Sequence, residues 1–292
     1  MKILFIVGPT ASGKTELGIK ICRRIKGEII SADSRQIYKY MDIGTAKPLN
    51  PEVPHHLIDI KDPKERYSAY EFYLDAKRCI EDILKRGKRP VVVGGTGLYI
   101  RALTEGLFPQ PRISPEVKER LLEELKEKGI EALYHELEKV DPEAASKIHP
   151  RDRQRIVRAL EVYRGTGIPI SQFWKKKIDT GIEPVYIGIG WERKELYRRI
   201  EERVKRMVES GWVDEVRNLL SMGYSPSDPG FSSVGYREVV GFIEGRYSEE
   251  IMIKLIVKKT KEYARRQIMW FRRLPVHWLS PDTLGSLSGI SD

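Results

Sequence analysis

Cysteine is scarce in this 292-residue sequence, and it has no long apolar run. The two cysteines, Cys22 and Cys79, fall in segments predicted to be helical and lack the spacing of metal ligands. A reduced, cytoplasmic protein without structural zinc is therefore expected. No apolar run approaches the roughly 20 residues that span a bilayer, and the apolar start of the chain is too short for a signal peptide. We therefore expect no membrane association.

Residues 8–15 match the phosphate-binding pattern G-x-x-x-x-G-K-[ST] without a break. A predicted apolar strand, Ile3–Val7, precedes them, and an amphipathic helix begins at Glu16. Glycine lets the backbone turn its N–H groups toward a phosphate, and the helix N-terminus adds partial positive charge. The lysine then reaches the terminal phosphate and the threonine hydroxyl is placed to ligate Mg²⁺. The sequence predicts a site for linked phosphates, which belong either to a nucleotide or to another diphosphate. Its residues are Gly8, Pro9, Thr10, Ala11, Ser12, Gly13, Lys14 and Thr15.

The formal charge of +10 is concentrated in two segments. Residues 147–177 hold nine Lys or Arg against two acidic residues, and residues 254–273 hold eight against one. The remainder of the chain carries a net charge of −4. Solvated helix faces also produce such runs, but two patches on an otherwise acidic protein favour a polyanionic partner, nucleic acid above all.

Strand and helix signals alternate along the first hundred residues. Strands are predicted at Glu28–Ser31 and Pro90–Val93, with a helix over Ser68–Arg86 between them. Helix-sized crossovers between buried strands indicate an α/β fold with a parallel, doubly wound sheet. Strands return at Val185–Ile189 and at Val276–Leu279.

A helical, highly charged pattern interrupts this alternation from Pro115 to Gly165, with a turn predicted at Gly129. We therefore predict an α-helical domain inserted into the sheet core, with proline and glycine marking the linkers. The predicted core comprises residues 1–111 plus 183–280, the insertion residues 112–182, and a flexible tail residues 281–292.

The helix predicted over Ser248–Arg272 has two stripes at helical spacing. Aligned cations on one of them repel each other, so a phosphate backbone along the helix is expected to offset that cost. The apolar stripe, expected to face the core, contains Ile253, Ile256, Val257, Ala264, Ile268 and Phe271. The cationic stripe, expected to be exposed, contains Lys254, Lys258, Lys261, Arg265 and Arg272.

Asp33 follows the second predicted strand, in the segment Asp-Ser-Arg-Gln-Ile-Tyr (33–38). The carboxyl ends of strands in a doubly wound sheet line the ligand crevice, so Asp33 is expected beside the phosphate loop. There it could ligate magnesium or accept a substrate proton. A helix N-cap is an equally good interpretation of its position.

The ordered motifs resemble those of the bacterial tRNA dimethylallyltransferase (tRNA isopentenyltransferase) family. They are residues 8–15, 33–38, Gly-Gly-Thr-Gly-Leu-Tyr at 94–99, DRQRIVRALEV at 152–162, Val-Gly-Tyr-Arg at 234–237 and Arg-Gln-Ile-Met-Trp-Phe-Arg at 266–272. The resemblance covers about residues 2–279. It implies a P-loop NTPase-like core, an enzyme that uses Mg²⁺ and acts as a monomer, and two substrates: dimethylallyl diphosphate and the anticodon stem-loop of tRNA.

The resemblance also implies residue roles. Residues 8–15 would bind the diphosphate, with Lys14 and Thr15 catalytic, and Asp33 would be the general base on the adenine amine. Thr96 would lie beside the reacting centre, and Arg217 would steady the diphosphate. The implied tRNA contacts are Asp33, Ser34, Arg35, Gln36, Thr96, Lys118, Gln154, Arg155, Ile156, Val157, Arg158, Ser232, Ser233, Val234, Gly235, Tyr236, Arg237, Arg265, Arg266, Gln267, Ile268, Met269, Trp270, Phe271 and Arg272. Ser232 and Ser233 replace an Arg-Cys pair found in some relatives, so their direct role is open.

Three other functions share part of this pattern. A small-molecule or nucleotide kinase needs the same loop and an acidic residue but has no use for two basic segments. A relative that prenylates free adenine nucleotides would share Asp33 and the loop without needing that charge. A non-catalytic RNA-binding P-loop protein leaves Asp33 and Thr96 unexplained.

Overall fold

The computed structural model describes residues 1–48, 52–108, 111, 113–176 and 178–282. The linker residues Pro109 and Gln110, the cation Lys177 and the expected flexible tail from residue 283 onward lie outside the described residues. The chain divides into two compact units: Met1–Thr104 with Gly181–Asp292, here called the core unit, and Glu105–Thr180, here called the helical unit. The helical unit therefore begins seven residues before, and ends two residues before, the insertion expected at 112–182.

The strands of the core unit are β1 (Lys2–Val7), β2 (Gly27–Ser31), β3 (His55–His56), β4 (Arg89–Gly94), β5 (Glu183–Ile189) and β6 (His277–Leu279). In the described part of the chain they form one sheet in the order β3-β2-β4-β1-β5-β6, and every neighbouring pair is parallel. The predicted α/β fold with a parallel sheet is confirmed. Because β2, β4 and β1 are adjacent, the loops that follow them leave the same edge of the sheet.

Helices connect the strands and build the second unit. Their bounds are α1 (Lys14–Ile25), α2 (Ala69–Lys85), α3 (Gly97–Glu105), α4 (Pro115–Val140), α5 (Pro142–Lys147), α6 (Arg153–Thr166), α7 (Ile170–Trp174), α8 (Arg193–Glu209), α9 (Trp212–Ser221), α10 (Tyr236–Ile243) and α11 (Glu249–Phe271). A 3₁₀ turn covers Pro229–Ser232.

The central strand β1 is apolar along nearly its whole length because both faces of the sheet are covered, as is usual for a parallel sheet. Ile6 packs in one cluster with Leu17 of α1 and with Ile29 and Val93 of the flanking strands. At Gly18 a Cβ atom would lie 2.9 Å from Val93 Cγ2, so glycine lets α1 approach the sheet closely. This packing fixes α1, and hence its N-terminus, directly after β1.

The helical unit has its own core of α4, α5, α6 and α7 side chains. Gly129 (φ 78°, ψ 174°) breaks α4, which confirms the turn predicted there. That conformation is open almost only to glycine. The buried Asp141 carboxylate joins two elements, because it accepts hydrogen bonds from the Ala144 N–H (3.0 Å) and the Ser171 N–H (2.9 Å).

The helix α11 is rotated relative to its predicted apolar stripe. Ile253, Val257 and Ile268 are only half-buried and flank the stripe. The prediction missed two polar residues of the buried face, Thr260 and Gln267, because it counted apolar residues alone. The fully buried line contains Met252, Ile256, Thr260, Ala264, Gln267 and Phe271.

Candidate active site

Three loops meet at the carboxyl edge of the sheet. The phosphate loop follows β1, Asp33 lies just after β2, and Thr96 follows β4. The Thr96 N–H donates to the Ala32 carbonyl (3.1 Å), and the Ser34 N–H donates to Thr96 Oγ1 (3.0 Å). The loops after β2 and β4 are thus hydrogen-bonded to each other beside the phosphate loop.

The phosphate loop is shaped to hold an anion. Ala11 (φ 64°) and Gly13 (φ 88°) lie in the left-handed region, which turns successive N–H groups toward one side. The helix α1 begins directly after Gly13, and in residues 1–48 no side chain caps this end by a hydrogen bond. The N–H groups and the helix dipole at the start of α1 are therefore available to an anionic ligand.

Side chains from α8 and from the turn before it hold the outside of this loop. The Trp191 Nε1–H donates to the Ser12 carbonyl (2.8 Å), and the Arg199 Nε–H donates to the Ala11 carbonyl (3.0 Å). The Arg199 guanidinium stacks on the Trp191 ring, with 4.2 Å to the ring centroid. The carbonyls of Ala11 and Ser12 are thus held by these two side chains.

Two half-buried cations lie at the loop. Lys14 donates to the Pro9 carbonyl (3.3 Å), and Arg203 donates to Thr10 Oγ1. Burial lowers the pKa of Lys14 to about 8, partly opposed by the Asp33 carboxylate. Burial likewise lowers the pKa of Arg203 to about 10, and Asp33 again opposes the shift. Within the described residues the buried Arg203 Nε–H has no hydrogen-bond partner. Partly buried positive charge with an unpaired N–H donor is suited to bind a phosphate group.

Asp33 lies half-buried where β2 ends. Its Oδ1 accepts a hydrogen bond from the Arg35 N–H (2.8 Å), so the carboxylate caps a turn and not a helix. The cap engages one carboxylate oxygen and leaves the second to accept a proton in the crevice. The turn-capping and proton-accepting interpretations are therefore compatible.

The segment after Asp33 is held by neighbouring loops. Arg35 Nη1 donates to Ser232 Oγ (2.6 Å), which brings two of the predicted tRNA-contact segments together. Gln36 accepts from Ser31 Oγ (3.0 Å) and donates to the Ala46 carbonyl (3.1 Å). Burial raises the pKa of Tyr263 on α11 to about 12.

The side chain of Arg217 is exposed on α9 and pairs with Asp214 one turn earlier (2.8 Å), and its diphosphate role stays a prediction. Two arginines that the sequence did not single out, Arg199 and Arg203 of α8, contact the phosphate loop. The sequence did contain a signal for these two arginines. They are four residues apart on α8, and a tryptophan, Trp191, lies between β5 and that helix.

Several predicted tRNA contacts are buried, which corrects the expectation for their side chains. Ile156 and Val157 pack in the core of the helical unit, and Tyr236 and Phe271 in that of the core unit. Gln267 is 5% exposed and is hydrogen-bonded inside the site. Those that remain exposed are Gln154, Arg155, Ser232, Arg237, Arg265, Arg266, Met269 and Arg272, while Lys118, Arg158, Val234, Ile268 and Trp270 are half-buried. Ser233 is buried and donates to the Gly230 carbonyl (2.7 Å).

A basic groove runs between α8 and α11. The predicted stripe residues Lys258, Lys261 and Arg265 all line it, together with Arg193 and Lys205. Lys261 is not free on this surface, because it pairs with Glu201 and lies over the Tyr197 ring. The groove offers aligned cations and an aromatic ring on one face of the core unit.

None of the helices in the described ranges is long and apolar enough to cross a membrane.

Comparison with known proteins extends this description. A family model described as IPP transferase matches residues 36–274, and one described as isopentenyl transferase matches residues 1–56. The chain is 51% identical over 279 residues to the tRNA dimethylallyltransferase of Thermotoga neapolitana, covering 94% of this chain and 90% of that protein. It is 48% identical over 284 residues to the tRNA dimethylallyltransferase of Carboxydothermus hydrogenoformans, covering 95% and 91%.

Solved structures agree. The full-length tRNA isopentenylpyrophosphate transferase of Bacillus halodurans superposes with a TM-score of 0.70 at 37% identity, covering 99% of this chain and 96% of that one. A eukaryotic dimethylallyltransferase acting on tRNA superposes with a TM-score of 0.82 at 28% identity, covering 99% and 77%. Fold and site together define a P-loop protein in which the loop that carries Asp33 lies beside the phosphate loop. The chain belongs to the IPP transferase family and is a transferase.

Proposed function

We propose that this protein is a tRNA dimethylallyltransferase. It transfers the dimethylallyl group from dimethylallyl diphosphate to the exocyclic N6 of the adenine adjacent to the anticodon in tRNA. The observation that carries this proposal is the convergence of the phosphate loop, Asp33 and Thr96 at the ends of three adjacent parallel strands. A monomer acting in the cytoplasm belongs to the same proposal.

The phosphate loop holds the donor's diphosphate through its backbone N–H groups. Lys14, Arg199 and Arg203 supply the positive charge, and the unpartnered Arg203 Nε–H is a donor for a phosphate oxygen. When the allylic C–O bond breaks, negative charge develops on the bridging oxygen of the leaving diphosphate. Fixed cations and dipoles that stabilise such developing charge often contribute most to catalysis.

Asp33 accepts the proton that N6 of adenine loses as the new N–C bond forms. The leaving diphosphate takes the electron pair of the broken C–O bond, so charge and atoms balance. A positioned base of this kind contributes roughly 10²–10⁴-fold. Thr96 fixes the turn beside Asp33 through its hydrogen bond from the Ser34 N–H. The adenine must leave its stack first, at a cost of about a few kcal/mol.

Mg²⁺ fits the donor set at the loop. Within the described ranges, no group of three or more His, Cys, Asp or Glu could hold a metal ion, and Thr15 offers one hydroxyl at the start of α1. Mg²⁺ commonly takes few protein oxygens and completes its shell with phosphates and water. When bound, it would neutralise charge on the leaving diphosphate.

Exposed polar and basic residues are proposed to hold the tRNA. In the helical unit, Gln154 and Arg155 lie exposed at the start of α6. In the core unit, the groove between α8 and α11 carries Lys258 and Arg265, and Arg237 is exposed on α10. Contacts to phosphates position a nucleic acid without reading its sequence, which suits these cations.

The testing experiment offers unmodified tRNA with either labelled dimethylallyl diphosphate or γ-labelled ATP. We expect label to move to tRNA from dimethylallyl diphosphate without ATP, and Lys14→Ala to abolish that transfer. Phosphoryl transfer from ATP, with none from dimethylallyl diphosphate, would contradict the proposal and favour a kinase. Equal transfer to free adenine nucleotides would favour a free-nucleotide prenyltransferase.

A further inference from the structure

The side chain of Gln267 joins two loops of the site from inside the protein. Its Oε1 accepts a hydrogen bond from the Thr10 N–H of the phosphate loop (2.8 Å). Its Nε2–H donates to the Gly95 carbonyl, directly before Thr96 (2.9 Å). The residue is 5% exposed, so neither bond competes with bulk water. One buried amide thus spans the loop after β1 and the loop after β4.

A neighbouring residue on α11 packs against the loop after β4, because Trp270 lies against Gly97. A Cβ atom at Gly95 would lie 2.2 Å from Gln267 Nε2, and one at Gly97 would lie 2.4 Å from the Trp270 indole nitrogen. Gln267 and Trp270 share one helix face because they are three residues apart. The loop between the two glycines is therefore shaped to fit this face of α11.

The chemistry of the amide explains why a glutamine stands here. An amide accepts through its oxygen and donates through its nitrogen without carrying charge. Burial leaves both backbone partners dependent on it, since a buried donor or acceptor without a partner is costly. A methionine of similar length makes neither bond. An ionised glutamate keeps the bond from the Thr10 N–H but turns an oxygen toward the Gly95 carbonyl.

We propose that Gln267 is a positioning residue that holds the phosphate loop and the loop after β4 in a fixed relative position. Its two bonds fix Thr10 and Gly95 relative to each other, and so fix the phosphate loop relative to Thr96 and Asp33. The allylic carbon of the donor and the adenine N6 are thereby held at reacting distance. This inference rests on the proposed function. It assigns to Gln267 a role inside the protein in place of the tRNA contact that its motif implied.

The expected consequence is a loss of rate without a loss of binding. A misplacement of about 1 Å between reacting groups can cost on the order of 10²-fold in rate. Gln267→Met should therefore lower the single-turnover rate about 10²-fold with both substrates saturating. Diphosphate affinity should stay within about twofold, because Lys14, Arg203 and the N-terminus of α1 remain.

The variant Gln267→Glu should have a transfer rate that depends on pH in a way that a purely structural role of Gln267 would not produce. A protonated glutamic acid donates to the Gly95 carbonyl and accepts from the Thr10 N–H, so it restores both bonds. Buried glutamates can have a pKa of about 8–9. The ratio of variant rate to wild-type rate should therefore rise as pH falls from about 9 to about 6. The other charged and titratable groups of the centre, Lys14, Asp33, Arg203 and Tyr263, are present in both proteins, so the ratio compares the two proteins with the same surroundings at each pH.

The experiment measures single-turnover transfer from labelled dimethylallyl diphosphate to unmodified tRNA across this pH range, with diphosphate affinity measured by calorimetry. The same substitutions at Gln172, which is exposed on α7, serve as matched controls and should leave the rate unchanged. A wild-type rate in Gln267→Met would overturn the inference, as would a flat pH ratio in Gln267→Glu. A rate loss fully explained by weaker diphosphate binding would also overturn it. Failure of the wild-type protein to transfer the group at all would instead contradict the proposed function.

Discussion

Replacing Arg203 by methionine should change stability and donor affinity in opposite directions. Burial lowers the pKa of the half-buried Arg203 guanidinium to about 10, with Asp33 opposing the shift and Arg206 and Arg199 adding to it. This pKa lies well below the ordinary value of an arginine, so the folded protein without ligand disfavours the charged form. One pKa unit corresponds to about 1.4 kcal/mol, so the cost is about 3 kcal/mol.

The sign follows from proton linkage. Between pH 10 and the ordinary pKa of an arginine, the unfolded chain binds this proton more strongly than the folded one, so the contribution of Arg203 to stability rises with pH there. Below pH 10 both states are charged and the full cost is present. Methionine removes that cost and also removes the hydrogen bond to Thr10, worth about 1 kcal/mol. At pH 7 we expect Arg203→Met to raise the free energy of unfolding by about 1–2 kcal/mol.

Donor affinity should fall in the same variant. A hydrogen bond to a charged group contributes about 1.5–3 kcal/mol, which corresponds to roughly 10- to 150-fold in the dissociation constant. Urea unfolding and calorimetric titration with dimethylallyl diphosphate measure the two quantities. Arg198→Met is the matched control, since Arg198 is exposed on the same helix and paired with Glu195, and it should leave the affinity unchanged. A destabilised Arg203→Met protein with unchanged donor affinity would refute the reasoning.

Three further predictions concern charge. Because the pKa of Lys14 is about 8, donor affinity should fall as pH rises above 8, and binding at pH 8.5 should take up protons. Calorimetry in buffers of different ionisation enthalpy measures this proton uptake. Identical affinity at pH 7 and 9.5 would be contrary to this. Asp33→Asn keeps shape but not basicity, so single-turnover transfer at saturation should fall about 10²-fold or more; an unchanged rate would leave Asp33 only its turn-capping role. Changing Lys258, Lys261 and Arg265 together to alanine should weaken tRNA binding. It should also reduce the slope of log affinity against log salt concentration by roughly 0.7–0.9 for each tRNA phosphate that these side chains neutralise. Equal slopes for variant and wild type would make the groove an ordinary solvated surface.

The loops that carry the site were predictable because each follows a strongly apolar strand. The strands containing Phe5, Ile30 and Val92 are short and buried, and a parallel sheet must place their carboxyl ends at one edge. The phosphate loop and Asp33 could therefore be placed together from the sequence. The two-residue strand His55–His56 is too short to give a pattern.

The residues that act on these loops from distant helices were not predictable in the same way. Arg203 and Gln267 are polar residues in amphipathic helices, where a polar side chain ordinarily faces solvent. Their burial depends on tertiary packing 193 and 257 positions away from Thr10. The charge pattern on α11 likewise identified its cations but assigned Lys261 to an unpaired face, whereas Glu201 of α8 neutralises it.

The central claim is tested most directly by locating the transferred group on the RNA. Unmodified tRNA is incubated with the protein, Mg²⁺ and dimethylallyl diphosphate, then digested to nucleosides and fragments for mass spectrometry. The account predicts one dimethylallyl group on N6 of the adenine adjacent to the anticodon with the wild-type protein, and its loss with Lys14→Ala. Unmodified tRNA after incubation with the folded wild-type protein, or a group on the phosphate or ribose, would contradict it.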